Sequence, residues 1–353
     1  MKWINFFIFS LLAAKSLADS VPANIDFDHE MGKGSSAWEH LITPEDHDNL
    51  ATYKALFEKN KAVFASNSTV EKIPSIIHLI WLGPSDLSEL AIQNMQRWKD
   101  LHPSWKIYLW TDRTRVVPVE GVELKICRNF PFLELSHEYY DAENYGEKSH
   151  VLRYAILSHL GGIYVDHDVY GLKSLDPLRK FDFFLALEPL SDTYLSTSVY
   201  PSSSIIGSAP SHPILRSSSD WLHSYWHELG QMYPGNNEES VVNRVKHRAL
   251  SCLEYGIKKD MNTNNLVNIV LPSSFFNKNI TKEVGFAHHF HIGSWHKKVH
   301  PLEKKVERYS KDIQKKNNTI KLLFIFLLVS QMFICSFLIL LWKRLKRKEG
   351  TLI

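Results

Sequence analysis

Cysteine is scarce in this chain. Cys127, Cys252 and Cys335 are all there is, and Cys335 falls inside an apolar run near the C-terminus. At most one bridge, between Cys127 and Cys252, is therefore open to the body of the protein, and spacing does not decide whether the two meet. An excess of charge is lacking as well, since 41 Lys+Arg against 38 Asp+Glu give a formal charge of +3. Five of those basic residues are clustered at Lys343, Arg344, Lys346, Arg347 and Lys348; setting them and Glu349 aside leaves 36 basic against 37 acidic residues. A near-neutral body has no electrostatic footing for nucleic-acid binding, so no nucleic-acid partner is expected. No repeat period and no low-complexity block precedes residue 297.

What is present is 44% hydrophobic residues in a chain of 353, enough for one large domain or one domain with an embellishment. Two apolar runs bracket it. Residues 4–14 follow Lys2 and precede Ser16-Leu17-Ala18, the layout of a cleavable signal peptide over residues 1–18, with an uncleaved anchor as the alternative. Residues 322–342 carry no charge, with Gln331 the only strongly polar member, and are long enough to cross about 30 Å of hydrocarbon as a transmembrane helix. The basic cluster in residues 343–353 follows at once and reads as a cytoplasmic tail, which places the body in a lumen or outside the cell under either reading of the N-terminus. Three Asn-x-Ser/Thr sequons, at Asn67, Asn279 and Asn317, fall on that same side and add weak support.

Between these runs the pattern alternates. Residues 19–37 are polar, with Gly32 and Gly34, and read as a poorly ordered leader; residues 45–64 carry a helical apolar stripe through Leu50, Tyr53, Leu56, Phe57 and Val63. Residues 73–81 form a short apolar run that ends at Gly83-Pro84, the profile of a buried parallel strand. A helix is expected over 87–101 and a second strand over 106–110. A further helix over 148–160 is stopped by Gly161-Gly162, and Ile163-Tyr164-Val165 then runs straight into Asp166-His167-Asp168. Strands alternating with helices predict an α/β fold with a mostly parallel central sheet, whose ligands bind at the carboxyl ends of strands.

The acidic triplet sits at such an end. Two carboxylates one residue apart can share one hard cation, Mn²⁺ or Mg²⁺, with the phosphates of a bound nucleotide. Alone, Asp-x-Asp is common in surface loops; the helix, the Gly-Gly stop and the three apolar residues before it make the context informative. His288, His289 and His291 alternate as a strand would, which opens a zinc reading, although no Glu-assisted zinc motif accompanies them.

The segment Lys148 to Leu157, continued by Gly161-Gly162-Ile163-Tyr164-Val165-Asp166-His167-Asp168-Val169, resembles the DXD sugar-binding region of family 32 glycosyltransferases. That family includes α-mannosyltransferases of glycans and sphingolipids and is related to clostridial glucosylating toxins. Further pieces match in order: Ile73 to Trp81, Leu109-Trp110-Thr111-Asp112, Leu175-Asp176-Pro177-Leu178, Gly207 to Pro213, Leu271-Pro272 with Phe275-Phe276, and His289 with Gly293-Ser294-Trp295. The resemblance spans roughly residues 73–296. It implies a GT-A (Rossmann-like) nucleotide-sugar-binding fold and transfer of a hexose with retention, and so an α-linkage.

It also implies a division of labour. Asp168 would ligate the metal, with Asp166 and His289 as further candidate ligands. Arg153 and Asp166 would contact donor sugar or ribose, Trp81 would stack on the donor base, and Ser294 and Trp295 would close over the diphosphate. Tyr164 is a candidate donor contact, as are Ser149 and His150. Asp166, Asp168 and Arg153 are the candidate catalytic set. Blander roles stand beside these: Trp81 and Trp295 as core aromatics, Arg153 paired to a surface carboxylate, His150 as an exposed helix residue, and Glu143 and Glu147 as solvated side chains. The chain departs from the family pattern in carrying His150 where an aspartate is usual, no asparagine near Ser202 to Ser204, and no Thr-Gly-Pro segment near Pro234 to Glu239.

The expected organisation is a signal peptide (1–18), a leader and N-terminal helical region (19–72), a GT-A catalytic domain (73–296), a juxtamembrane stalk (297–321), a transmembrane helix (322–342) and a basic tail (343–353). The expected partners are a nucleotide-sugar donor, GDP-mannose first or a UDP-hexose, and a glycan or glycolipid acceptor, with the chain anchored in a Golgi-type membrane. Loss of the usual aspartate at His150 keeps open a catalytically inactive sugar- or nucleotide-binding protein on the same scaffold. A toxin-like transferase acting on proteins is a third reading, which the extracytoplasmic topology disfavours.

Overall fold

The computed structural model describes residues 24–66, 70–127, 130, 135–142, 144–190, 199–235, 237–277 and 284–292. The chain divides into two units, residues 1–297 and 298–353, and the second lies wholly outside the described residues. So do the expected signal peptide, the stalk, the transmembrane helix, the basic tail and the sequon asparagines. Among the described residues no helix is long and apolar enough to cross a membrane.

The core is a seven-stranded sheet. Its strands are β1 (Ile76–Ile80), β2 (Lys106–Thr111), β3 (Val122–Ile126), β4 (Gly162–Val165), β6 (Phe183–Leu187), β7 (Pro201–Ser208) and β8 (Asn268–Leu271), in the spatial order β3-β2-β1-β4-β7-β6-β8. Two short strands, β5 (Val169–Gly171) and β9 (Ala287–His289), form a separate antiparallel ribbon. β4, β6, β7 and β8 are buried along their whole length, as strands covered on both faces must be. The expectation of a mostly parallel sheet holds for β3-β2-β1-β4 and for β6-β8. β7 runs antiparallel to both of its neighbours. Two reversals restore the direction, so β6 points the same way as β4, and the carboxyl ends of β1, β2, β4 and β6 share one edge.

The helices are α1 (Phe27–Glu30), α2 (Ser36–Glu39), α3 (Pro44–Asn60), α4 (Glu89–Leu101), α5 (Ser136–Asp141), α6 (Tyr145–Leu160), α7 (Pro213–Met232), α8 (Glu238–Lys246) and α9 (Cys252–Asp260). Their starts follow local chemistry. The side chains of Thr43, Ser88 and Asn144 accept from Asp46 N, Ala91 N and Glu147 N respectively, each satisfying a donor that the first helical turn leaves unpaired. The end of α6 is set by Gly161 and Gly162, at φ 63° and 96°. A Cβ on Gly161 would lie 2.9 Å from the Ser208 carbonyl oxygen, and one on Gly162 2.8 Å from that of Ile76, so both the conformation and the space demand glycine. This turn delivers the chain from α6 into β4 and so aims the acidic triplet at the sheet edge.

One sequence expectation is corrected. From residue 24 onward the polar segment expected as a loose leader is folded: Ile25, Phe27 and Met31 are buried in the core, and Ser273 N donates to Met31 Sδ at 3.3 Å. Phe27 and Phe57 pack at 5.4 Å, and Phe57 meets Phe275 at 6.4 Å. Residues 24–65 therefore cover the β8 side of the sheet. The composition is polar because these short helices expose most positions and bury a few large apolar ones.

Cys127 and Cys252 are both buried free thiols. Cys127 lies 3.1 Å from the Tyr139 hydroxyl, while Cys252 donates to the Ala249 carbonyl at 3.2 Å.

Candidate active site

The site is built where β4 ends. Asp166 N donates to the Ser204 carbonyl on β7 at 2.8 Å, and Val169 N turns back to the Asp166 carbonyl at 3.1 Å, so the triplet is a tight turn between β4 and β5. β5 then pairs with β9 in the register Val169↔His289, which brings a residue 121 positions downstream of Asp168 beside it. His289 Nε2 lies 3.3 Å from Asp168 Oδ1. Backbone bonds lock this approach: Phe290 N donates to the Asp168 carbonyl at 3.0 Å, Ile292 N to Asp168 Oδ2 at 2.9 Å, and His289 N to the Phe276 carbonyl at 3.0 Å.

Among the described residues, Asp166, Asp168 and His289 form one group whose donor atoms all lie within 4.8 Å of one another. Two carboxylates and an imidazole suit a divalent cation such as Mn²⁺ or Mg²⁺ and leave positions for phosphate oxygens. The fit rests on this structure's own electrostatics. Burial works against the Asp168 carboxylate, yet the hydrogen bond and charge of His289, aided by the Ile292 amide, hold its pKa well below the usual carboxylate range. Burial also works against a charged His289, but Asp168, Asp166 and Glu188 together raise its pKa above the ordinary histidine value. The pocket thus concentrates negative charge around His289, which suits a divalent cation. His289 Nδ1 is buried without a hydrogen-bond partner, and the His291 ring packs 3.8 Å from the His289 ring while its Nε2 meets Asn277 Oδ1 at 2.8 Å.

Asp166 differs from Asp168. Its side chain is 22% exposed against 6%, and its Oδ1 is held from behind. The Tyr164 hydroxyl donates to it at 2.5 Å, and Arg153 Nη2 donates to it at 3.0 Å and to the Tyr164 hydroxyl at 2.8 Å. Arg153 reaches this point from α6, buried, with its guanidinium 3.9 Å from the centre of the Tyr164 ring and Nη1 donating to the Ser203 carbonyl. The alternative in which Arg153 pairs a surface carboxylate is thereby set aside, since its carboxylate partner is Asp166. Ser149 lies on the same helix, one turn before Arg153. His150 is half-buried rather than exposed; burial and the Arg153 charge push its pKa well below the histidine range, so it is neutral, and its Nδ1 has no partner.

Trp81, just past β1, is half-buried with its indole nitrogen donating to the Ser85 carbonyl at 2.8 Å. Its ring meets His167 edge-on at 4.9 Å, which places it beside the triplet rather than in the core. Asp112, past β2, accepts from Gly83 N and from Arg113, and so ties the loops that follow β1 and β2. Ser294 and Trp295 lie outside the described residues.

Sequence reasoning missed two features. Glu188, immediately after β6, adds its charge to the His289 and His291 environment; its place at the edge follows only from the reversed β7. Glu147, expected to be solvated, is 2% exposed: its Oε1 accepts from Arg244 Nε and Arg248 Nη1, both at 2.9 Å, and its Oε2 from Asn144 at 2.7 Å. This buried cluster ties the start of α6 to α8 and the turn after it. Glu143 lies outside the described residues.

Comparison with known proteins agrees with the resemblance. Residues 88–185 match the family model described as the glycosyltransferase sugar-binding region containing the DXD motif. A mannosyl phosphorylinositol ceramide synthase of Saccharomyces cerevisiae is 36% identical over 147 residues, which cover 41% of this chain and 34% of that protein. Inositol phosphoceramide mannosyltransferase 3 of Schizosaccharomyces pombe is 30% identical over 157 residues, covering 44% of this chain and 38% of that protein. The matched region thus spans little more than a third of these relatives. Among solved structures, PaToxG glycosyltransferase aligns with a TM-score of 0.40 at 18% identity, covering 62% of this chain and 81% of that one.

Proposed function

We propose that this chain is a metal-assisted, retaining hexosyltransferase on a GT-A-type scaffold, moving mannose from GDP-mannose, or a hexose from a UDP donor, to a glycolipid or glycan. The single observation that carries this is the convergence of Asp166, Asp168 and His289 from β4 and β9 at the carboxyl edge of the sheet. The DXD-region match over residues 88–185 and the mannosyltransferase relatives support the sugar chemistry. The relatives' names favour an inositol phosphoceramide-like acceptor.

Asp168 and His289 would hold the cation, with Asp166 completing the protein side, and Mn²⁺ or Mg²⁺ when bound supplies Lewis-acid stabilisation of the departing diphosphate. Arg153 and Tyr164 fix Asp166 in one orientation, so its exposed oxygen is presented without reorganisation cost. Trp81 offers an aromatic face at the donor end of the site. The acceptor hydroxyl attacks from the face the diphosphate leaves, and the leaving phosphate accepts its proton. The chain's apolar run at 322–342 and the basic residues after it favour a single-pass protein with this domain on the lumenal side of a Golgi-type membrane.

Full-length protein in detergent, given Mn²⁺ and a panel of GDP- and UDP-sugars with an inositol phosphoceramide acceptor, tests the reading. One donor is expected to be hydrolysed slowly alone and transferred faster with acceptor. Donor binding with neither hydrolysis nor transfer would instead establish the inactive binding protein that the neutral His150 motivates.

A further inference from the structure

Helices α5 and α7 carry a second group of ligating side chains that shares no residue with the Asp166–Asp168–His289 group. α5 lies against α7, where Asp141 Oδ2 accepts from the Trp226 indole nitrogen at 2.6 Å. Three residues earlier on each helix, His223 Nδ1 donates to Glu138 Oε1 at 2.7 Å. The environments of the two partners are opposite: the His223 side chain is 63% exposed and that of Glu138 is 2%. One turn further along α7, the His227 ring meets the His137 ring of α5 at 5.5 Å. Three exposed imidazoles thus lie along the α5–α7 contact, one of them bonded to a buried carboxylate.

Three points mark this as more than a histidine-rich surface. Residues four apart on a helix project from one face, so His223 and His227 can donate to a single ion. The Glu138 bond fixes His223 with Nδ1–H turned inward and Nε2 free outward, the carboxylate–histidine arrangement that orients metal-binding imidazoles. Glu138 Oε2 is moreover buried with no hydrogen-bond partner, an uncompensated carboxylate that a nearby cation would neutralise.

We propose that His137, His223 and His227 form a binding site for a borderline transition-metal ion, Zn²⁺, with Glu138 as the positioning residue beneath it. Imidazole ligands select such ions over Mg²⁺ or Ca²⁺. Among the described residues only the Asp166–Asp168–His289 group already has its donor atoms within 4.8 Å of one another, so binding here closes the three exposed rings onto the ion by side-chain rotation. The ion would clamp α5 to α7. The inference does not depend on the transferase reading.

The test uses full-length Asp168→Asn protein, in which the first site is disabled, dialysed against Zn²⁺ with excess Mg²⁺ and assayed for bound zinc. One Zn²⁺ per chain is expected. Adding His223→Ala and His227→Ala should abolish it, and Glu138→Gln should weaken it about 10- to 100-fold. Zinc should raise the melting temperature of the first protein and not that of the triple variant. Should Asp168→Asn fail to fold, Co²⁺ added to the wild-type chain and to His223→Ala/His227→Ala gives the same comparison through its visible absorption, which is strong only in tetrahedral sites. No bound zinc, or zinc and cobalt signals unchanged by removal of both α7 histidines, would overturn the proposal.

Discussion

Replacing Asp168 with asparagine is the most informative perturbation of the first site, because it removes a charge and keeps a shape. Asparagine can still accept from Ile292 N through its amide oxygen, so the β5–β9 approach is retained. What is lost is one of three groups converging within 4.8 Å. The gross attraction between a carboxylate and a divalent ion about 4 Å from its charge centre is about 8 kcal/mol at an effective dielectric of 20, and desolvation returns a large part of it. A net loss of about 3–4 kcal/mol is expected, which lowers kcat/KM by about 10²- to 10³-fold. The metal also stabilises the fold by mass action, about 2.7 kcal/mol when its concentration is 100 times its dissociation constant, and the variant should lose that increment. Thermal unfolding of the full-length chain with and without Mn²⁺, alongside donor turnover, measures both. An asparagine variant that keeps the Mn²⁺-dependent rise in Tm and wild-type turnover would refute the assignment of Asp168 as a ligand.

Other changes probe the supports of the site and the fold. Tyr164→Phe removes the hydroxyl between Arg153 and Asp166; it should cost about 10-fold in kcat/KM with little change in stability, and equal kinetics would show that Asp166 needs no such support. Glu147→Gln leaves Arg244 and Arg248 buried without their carboxylate and should destabilise by about 3–5 kcal/mol in urea unfolding. Gly256→Ala would place a Cβ 2.4 Å from the Ile214 carbonyl oxygen of α7, so a loss of about 1–3 kcal/mol is expected from forced separation of α7 and α9. Burial lowers the pKa values of His78, His102 and His212 to about 4. The unfolded chain takes up these protons near pH 6.5 and the fold only near 4, so stability is full above 6.5 and falls as pH drops toward 4, by about 2 kcal/mol per histidine at pH 5. An unchanged urea midpoint between pH 7 and pH 5 would contradict this.

Several parts of the site were legible from local pattern. An apolar run after a proline, a glycine pair ending a helix, and a strand leading into Asp166-His167-Asp168 are each local signals, and the structure realises them as β1, the end of α6 and β4. His289 was reachable only through the ordered resemblance, because nothing in residues 287–291 announces a pairing with β5. Glu147 shows the opposite failure. Its helix looked solvated at that position because its two partners lie 97 and 101 residues away. Residues 24–37 misled for a related reason: composition averages over a segment, whereas burial is decided by the few positions, such as Phe27 and Met31, that a neighbouring surface accepts.

Sequence by itself therefore determined the alternation of strands and helices, the stop at Gly161-Gly162 and the identity of the acidic triplet, since these depend on backbone propensity and short-range sterics. Tertiary structure alone decided which carboxylate is open and which is enclosed, that Arg153 serves Asp166, that β7 runs backward and brings Glu188 to the edge, and that His223 meets the buried Glu138. Those outcomes rest on contacts between segments far apart in the chain, where a charge is stable only if the fold delivers its partner.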